Sequence, residues 1–335
     1  MRIGAALRLA RAGDVRSRLT AARDGQAAVR VAAVAAGLRT GLLDLLDQGP
    51  ASTSALATRG GWSDQSLLTS FLLMLSELGL VRGSRSQWQL ARRGRAVLAD
   101  DVVRAMYEAF DGYHTGLYRE LEEQLSGKHG RRDVAERGEL IARLSRAMDP
   151  FVTDFLHSQL QEAQPRTVLD IGCGSGSHLV HMLRMAPDAT GTGIETDPAA
   201  AGLARTRLAD ESLSHRARIV EGDVRQVLGS ETESFELVLL ANVIYYLPAD
   251  ERLPLLRAVA ERVAHGGTVV VVTTALTDAV FSRHFDLLLR AQAGDMGLPS
   301  VADLSDQLRA AGLTPGRPRR IALGEPLTAV PATRL

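Results

Sequence analysis

Two hydrophobic rhythms divide the chain. Up to about residue 163 apolar positions recur at helical spacing. From Thr167 onward short, nearly continuous apolar runs alternate with amphipathic segments: 167–172, then a helix over 178–185; 189–195, then a helix over 198–208; 217–223; 235–242, then a helix over 250–264; and 268–274. Strands apolar on both sides and separated by helices predict a parallel sheet covered on both faces. After a helix over 301–311, the segments 317–323 and 327–332 flank Gly324-Glu325-Pro326, a spacing that predicts an antiparallel hairpin at the sheet edge.

The first hundred residues follow another plan. Residues 1–25 carry six arginines and two aspartates and predict a frayed, solvated helix. Residues 27–47 are almost continuously apolar; a helix apolar on most sides needs cover on most sides, and a second subunit is one source of it. A short helix over 52–59 ends at Gly60-Gly61. Ser63 is placed to cap a helix running to Leu78, with Gly79 as its stop. Two short strands, 80–83 and 87–90, and a helix over 92–98 complete the helix, helix, helix, hairpin order of a winged helix. Residues 101–163 predict a helical cover, with a loop at 126–133. The expected domains are 1–100, 101–163 and 164–335.

A winged helix raises the question of DNA. The third helix, 63–78, would enter the major groove, yet it holds no Lys or Arg and carries Asp64 and Glu77. Phosphate neutralisation and guanine readout both need basic groups there. The whole chain of 335 residues has 39 basic and 39 acidic side chains, so no basic excess favours a nucleic-acid partner. No apolar run approaches the ~20 residues that span a bilayer, and Arg8 and Arg11 interrupt the apolar start, so neither a membrane span nor a secretory signal is expected. The expected location is the cytoplasm. One cysteine, Cys173, excludes an intrachain disulfide and a multi-cysteine metal site.

The densest chemistry lies at 168–178, VLDIGCGSGSH. A strand ends at Asp170, and Gly172, Gly174 and Gly176 make the turn into a helix. Glycine there permits positive φ and lets a ligand approach bare backbone. A nicotinamide-type G-x-G-x-x-G would place its third glycine at position 177, which is Ser177; the pattern is D-x-G-x-G-x-G instead. The second strand ends in Glu195, suited to accept both ribose hydroxyl protons. The third ends in Gly222-Asp223, placed to accept from an adenine amino group. The fourth ends in Ala241-Asn242.

These linked motifs resemble the class I S-adenosylmethionine-dependent methyltransferases over about residues 165–335. The resemblance implies a Rossmann-like, doubly wound, seven-stranded α/β sheet with a C-terminal hairpin. It also implies that Asp170, Gly172, Gly174 and Gly176 hold the methionine end of S-adenosylmethionine and that Glu195 with Thr196 holds the ribose. Asp223 and Val224 would frame adenine, and Ala241 and Asn242 would line the sulfonium side. The whole chain is similar to the dimeric small-molecule methyltransferases typified by plant and polyketide O-methyltransferases, which implies a homodimer built on the N-terminal region. In that family a methionine upstream of the first motif often packs on the substrate; Met148, in Arg146-Ala147-Met148-Asp149, sits at a comparable distance. Where the family usually carries V-L-H-D-W with histidine as base, this chain has Val243-Ile244-Tyr245-Tyr246-Leu247.

Ten of the 14 aromatic residues fall in four short segments: Tyr107, Phe110, Tyr113 and Tyr118; Phe151 and Phe155; Tyr245 and Tyr246; Phe281 and Phe285. They are candidate acceptor-site residues, since aromatic faces suit a flat apolar acceptor and attract a sulfonium cation. Tyr107, Phe110, His114 and Tyr118 are expected near one helical face unless Gly112 and Gly116 break the helix. Methyl transfer from a sulfonium is an in-line displacement that depends on holding the acceptor ~3 Å from the methyl. A base is needed only for an acceptor that keeps its proton, such as a phenol. Tyr245, His114, His284 and His157 are the candidates. His178 and His181 read as structural, His129 and His215 as solvated, and His265 as part of a turn. No ligand spacing for a metal is present, and Arg317–Arg320 reads as a charged sheet edge. The expected activity is methylation of a small hydrophobic or aromatic metabolite of a biosynthetic pathway, at oxygen first and carbon second. The alternatives are an S-adenosylmethionine-binding winged-helix regulator and a catalytically inactive scaffold.

Overall fold

A computed structural model describes residues 14–127, 130–230, 232–324 and 326–335, the side chain of Ala135 excepted. The expectations for residues 1–13, His129 and Glu325 lie outside the described residues. The chain divides into two compact units. The first runs to Glu120 and includes Glu139–Leu144; the second comprises Leu121–Gly138 and Ser145–Leu335. The segment 101–163 is therefore split between the two units instead of forming a body of its own. One reason is visible in Arg143, which pairs with Asp101 at 2.7 Å and Glu108 at 3.1 Å and so fastens its helix to the first unit.

In the first unit α1 (Val15–Arg39) starts at an Asp14 cap and is exposed from residue 16 to residue 30. The single apolar helix expected over 27–47 is two helices. Gly41, at φ 71°, takes the left-handed turn between α1 and α2 (Leu42–Asp47). Next come α3 (Thr53–Gly60), capped by Ser52, and α4 (Gln65–Glu77). The cap of α4 is Asp64 and not Ser63: its carboxylate accepts the Leu67 amide at 2.9 Å. The hairpin β1 (Val81–Ser84) and β2 (Gln87–Leu90) is antiparallel, and α5 (Arg92–Ala99) follows. Leu38, Leu43, Leu56, Leu72, Leu75, Leu80 and Trp88 form the core. The Trp88 indole N–H donates to Thr53 Oγ1 at 3.0 Å inside it. Beyond α6 (Asp101–Glu108), a π-helical turn at Ala109–His114 leads into α7 (Thr115–Arg119).

Beyond the short helices at Leu121–Leu125 and Asp133–Glu136, the second unit continues with α8 (Asp149–Ala163) and then alternates: β3 (Thr167–Ile171), α9 (Ser177–Met185), β4 (Thr190–Glu195), α10 (Pro198–Asp210), β5 (Ala217–Glu221), α11 (Val224–Ser230), β6 (Phe235–Ala241), α12 (Ala249–Arg262), β7 (Val263–Thr274), α13 (Val280–Arg290), α14 (Val301–Ala310), and the short β8 (Thr314–Pro315), β9 (Arg319–Arg320) and β10 (Leu327–Thr333). The sheet order is β5-β4-β3-β6-β7-β10-β8, with β9 also paired to β10. The strands β3 to β7 run parallel, and β10 lies antiparallel to β7, β8 and β9. The seven strands expected become eight because the short β8 also pairs with β10. Of the strand expected at 317–323, only Arg319 and Arg320 join the ladder.

Alternation along the central strands explains their unbroken apolar sequence. Val238, Leu240, Val269 and Val271 face the core shared with α12 and α14. Leu237, Leu239, Val270 and Val272 face the core shared with α8 and α9. The strand order reverses between β3 and β6, so a crevice opens at the carboxyl ends there, where ligands of such sheets bind. No described helix is long and apolar enough to cross a membrane.

Replacing Thr53 by Val leaves the Trp88 indole N–H buried without an acceptor, a loss of about 1–3 kcal/mol. Urea unfolding followed by tryptophan fluorescence should show the first unit weakened by that amount.

Candidate functional site

The turn after β3 is built on positive backbone angles: φ is 67° at Gly172, 53° at Gly174 and 76° at Gly176. Gly172 is doubly required, since a Cβ there would lie 2.5 Å from Val243 Cγ2. At Gly174 a Cβ would meet nothing, so bare backbone faces open space. Cys173 between them is buried, and burial pushes its thiol up, so it stays protonated and fills space.

Asp170, at the end of β3, is 1% exposed. Burial, opposed by the charge of His178 and reinforced by that of Glu195, pushes its carboxyl up to about 6. It accepts the Leu179 amide in the first turn of α9, while its Oδ2 has no hydrogen-bond partner. A buried carboxylate oxygen beside a helix N-terminus and an open glycine loop is an unfilled acceptor for a cation. Glu195, at the end of β4, holds the loop from the other side. Its Oε2 accepts the Gly174 amide at 2.8 Å, and its Oε1 accepts the amides of Thr196 at 2.8 Å and Asp197 at 3.0 Å.

Asp223, after β5, is engaged by a residue the sequence reading passed over. Arg225 donates to its Oδ1 through the backbone at 2.8 Å and Nε at 3.1 Å, to its Oδ2 through Nη2 at 2.9 Å, and to Glu251 at 2.8 Å. The Arg225 hydrogen bonds hold the Asp223 carboxyl below its usual range. With the Gln226 amide as a further donor, the carboxylate's roughly four lone-pair sites are all engaged. After β6, Asn242 turns left-handed at φ 59°, and its amide bonds Val272 O at 2.8 Å. That turn brings Val243 onto Gly172.

The aromatic candidates separate by unit. In the second, Tyr245, Tyr246, Phe285 and Phe281 form one chain of ring contacts. Tyr245 lies 4.6 Å from Tyr246 and 5.3 Å from Phe285, and Phe281 lies 6.3 Å from Phe285. Leu276, Leu289, Met296 and Leu298 pack around them. Burial pushes the Tyr246 phenol up, partly offset by its hydrogen bond with Tyr245. His284 stands 6.2 Å from Phe281, and burial holds it below the ordinary histidine range. Phe155 and Met148 belong instead to the apolar core of α8 and α9, and Phe151 is 36% exposed. His157 contacts Gln161 at 2.9 Å on the same helix.

In the first unit Tyr107, Phe110, His114 and Tyr118 do not share one face. The π-helical turn has a longer repeat than the α-helix and rotates the residues after it. Tyr107 packs on the first unit's core and accepts from Arg93 at 2.9 Å. Tyr113 and His114 turn inward, His114 stacks on Phe110 at 4.7 Å, and Tyr118 is left 51% exposed. His215 and His265 are exposed. Among the described residues no cluster of three or more His, Cys, Asp or Glu could hold a metal.

Residues 168–267 match the methyltransferase domain family. The chain is similar to a carboxy-S-adenosyl-L-methionine synthase of Chromohalobacter salexigens, 31% identical over 106 residues, which are 31% of this chain and 38% of that protein. It is also similar to a 2-ketoarginine methyltransferase of Streptomyces arginensis, 28% identical over 175 residues, half of each. The chain thus spans about a third to a half of the length of these curated relatives. Its fold is that of the mitomycin 7-O-methyltransferase MmcR, with a TM-score of 0.78 at 22% identity over 97% of this chain and 99% of that one.

Replacing Gly172 by Ala forces a left-handed alanine, costing about 1–2 kcal/mol before the clash with Val243 is counted. Thermal unfolding should detect the loss. Asp170 titrates higher in the folded protein than in the unfolded chain, so ionising it costs stability. The contribution is fully present below pH 4 and is lost as pH rises through about 6. Asp170→Asn should therefore stabilise the ligand-free protein by about 1–3 kcal/mol at pH 7, and the gain should vanish near pH 4.

Proposed function

From the class I methyltransferase domain that this chain carries, we propose that the chain is an S-adenosylmethionine-dependent methyltransferase acting on a small hydrophobic or aromatic metabolite. The observation that carries the reading is Asp170 Oδ2, a buried acceptor without a donor beside a glycine loop whose backbone faces open space. The α-ammonium of the cofactor's methionine end matches that acceptor, and the N-terminal amides of α9 suit its carboxylate. Glu195 takes the ribose hydroxyls, with Thr196 beside it. Asp223 takes the adenine amine in exchange for one of its present donors, Val224 flanks the ring, and Ala241 and Asn242 line the sulfonium side. Bound there, S-adenosylmethionine supplies a methyl on a good leaving group.

The protein's part is alignment. Tyr246, Phe281 and Phe285 form an apolar aromatic wall for a flat acceptor, with Tyr245 packed behind them. Among the base candidates, His284 is favoured over Tyr245, His114 and His157. It borders this wall, and its lowered basicity leaves it neutral at pH 7, ready to take an acceptor proton. Oxygen is the preferred acceptor atom and carbon the second. The protein is proposed to work in the cytoplasm as a homodimer formed by its first unit, where α1 leaves Leu19 and Val29 exposed and α4 leaves Leu67 and Leu73 exposed.

Calorimetry with S-adenosylhomocysteine should give one site per chain, weakened about tenfold or more by Glu195→Gln, in line with one or two lost hydrogen bonds. Absence of binding refutes the reading; binding without turnover on any aromatic hydroxyl acceptor favours a scaffold. With a phenolic acceptor, His284→Asn should lower kcat by about 10²–10⁴ at unchanged cofactor affinity. An unaltered kcat would reassign the base.

A further inference from the structure

The contact between α8 and α9 is largely apolar, with Val152, Phe155 and Leu156 in one cluster with Leu179, Val180 and Leu183. Beside the glycine loop it turns polar. His178 Nε2 lies 3.4 Å from Asp149 Oδ1, short of hydrogen-bond alignment. The same imidazole feels the charge of Asp170. Three buried polar atoms therefore lack hydrogen-bond partners along this seam: Asp170 Oδ2, His178 Nε2 and His181 Nε2. The charged groups that act on His178 are Asp149 on α8 and Asp170 on β3; His178 acts in turn on His181 of α9, which also feels His157 and Arg184, and Glu195 on β4 acts on Asp170.

We infer that His178 is a positioning residue for the cation received by Asp170: held by Asp149, it shares the Asp170 carboxylate while that site is open and releases its proton to solvent when the cofactor's ammonium arrives. The inference rests on the proposed function and adds to it a residue outside the glycine motif. The argument is one of charge count. Asp170 carries one negative charge nearly sealed from solvent and cannot neutralise an imidazolium and an ammonium side by side. Of the two, only the imidazolium loses a proton readily near neutrality. No covalent bond changes except the imidazolium N–H, whose proton passes to water. Burial alone would lower His178, but the Asp149 contact and the charges of Asp170 and Asp149 outweigh it, so the ligand-free imidazole titrates above its ordinary value. Cofactor affinity consequently falls as pH drops through that range.

The test is a histidine NMR titration of the full chain carrying ¹³C-labelled imidazole. His178→Gln assigns the signal. Asp149→Asn should lower the ligand-free midpoint and provides a second assignment should the first variant fold poorly. Saturating S-adenosylhomocysteine, which keeps the amino-acid tail, should lower the His178 midpoint by at least one pH unit. 5′-Methylthioadenosine, which lacks the tail, should leave it in place. Calorimetry on the same samples separates the two ideas. Bound S-adenosylhomocysteine with an unmoved or raised midpoint overturns the role of His178 alone; no binding overturns the proposed function and this inference with it.

Discussion

A carboxylate enclosed at the end of β3 sets the terms for the rest of the second unit. Asp170 must sit where strand gives way to helix, because only there can a first-turn amide of α9 partly replace the water it has lost. The chain must then leave the strand and enter α9 within a few residues. That path runs through left-handed angles that L side chains resist. Neighbouring strands supply the support. Glu195 at the end of β4 grips the loop through the Gly174 amide, and the turn after β6 presses Val243 against Gly172. The crevice is thus a product of the sheet's order, with β3 flanked by β4 on one side and β6 on the other.

Much of this was legible in the sequence, and for physical reasons. A strand covered on both faces cannot alternate polar with apolar residues, so β6 and β7 announce themselves as unbroken apolar runs. Positive φ selects glycine, so the loop writes its own conformation as Gly172, Gly174 and Gly176. Helix starts were legible to within a residue, as at Ser52, which caps α3. They were ambiguous where Ser63 and Asp64 compete, and the charged group makes the cap.

What could not be read are contacts made by folding alone. Asp149 and His178 lie on different helices, and the spacing between them has no local periodicity to betray it. Arg225 is visible only as an arginine two places after Asp223; its fork over that carboxylate and Glu251 depends on the path of α11 past α12. The π-helical turn at Ala109–His114 left no signature either. The residues around it suit either kind of helix, and the extra residue per turn sends Tyr113 and His114 inward while Tyr118 turns out. The split of 101–163 follows from Arg143 reaching Asp101 and Glu108, a pairing of distant residues among many charged ones.

The methyl of Val243 that rests where a Cβ of Gly172 would stand has a wider meaning. It makes the glycine loop and the bend after β6 a single mechanical part, since Tyr245 and Tyr246 follow on the same short turn. Under the proposed function, substrate range cannot drift freely at this strand end. A bulkier side chain at 243 would push on the glycine loop, and a smaller one would let that loop sag. Diversification is easier on α13, which carries Phe281 and Phe285 on an element separate from that turn.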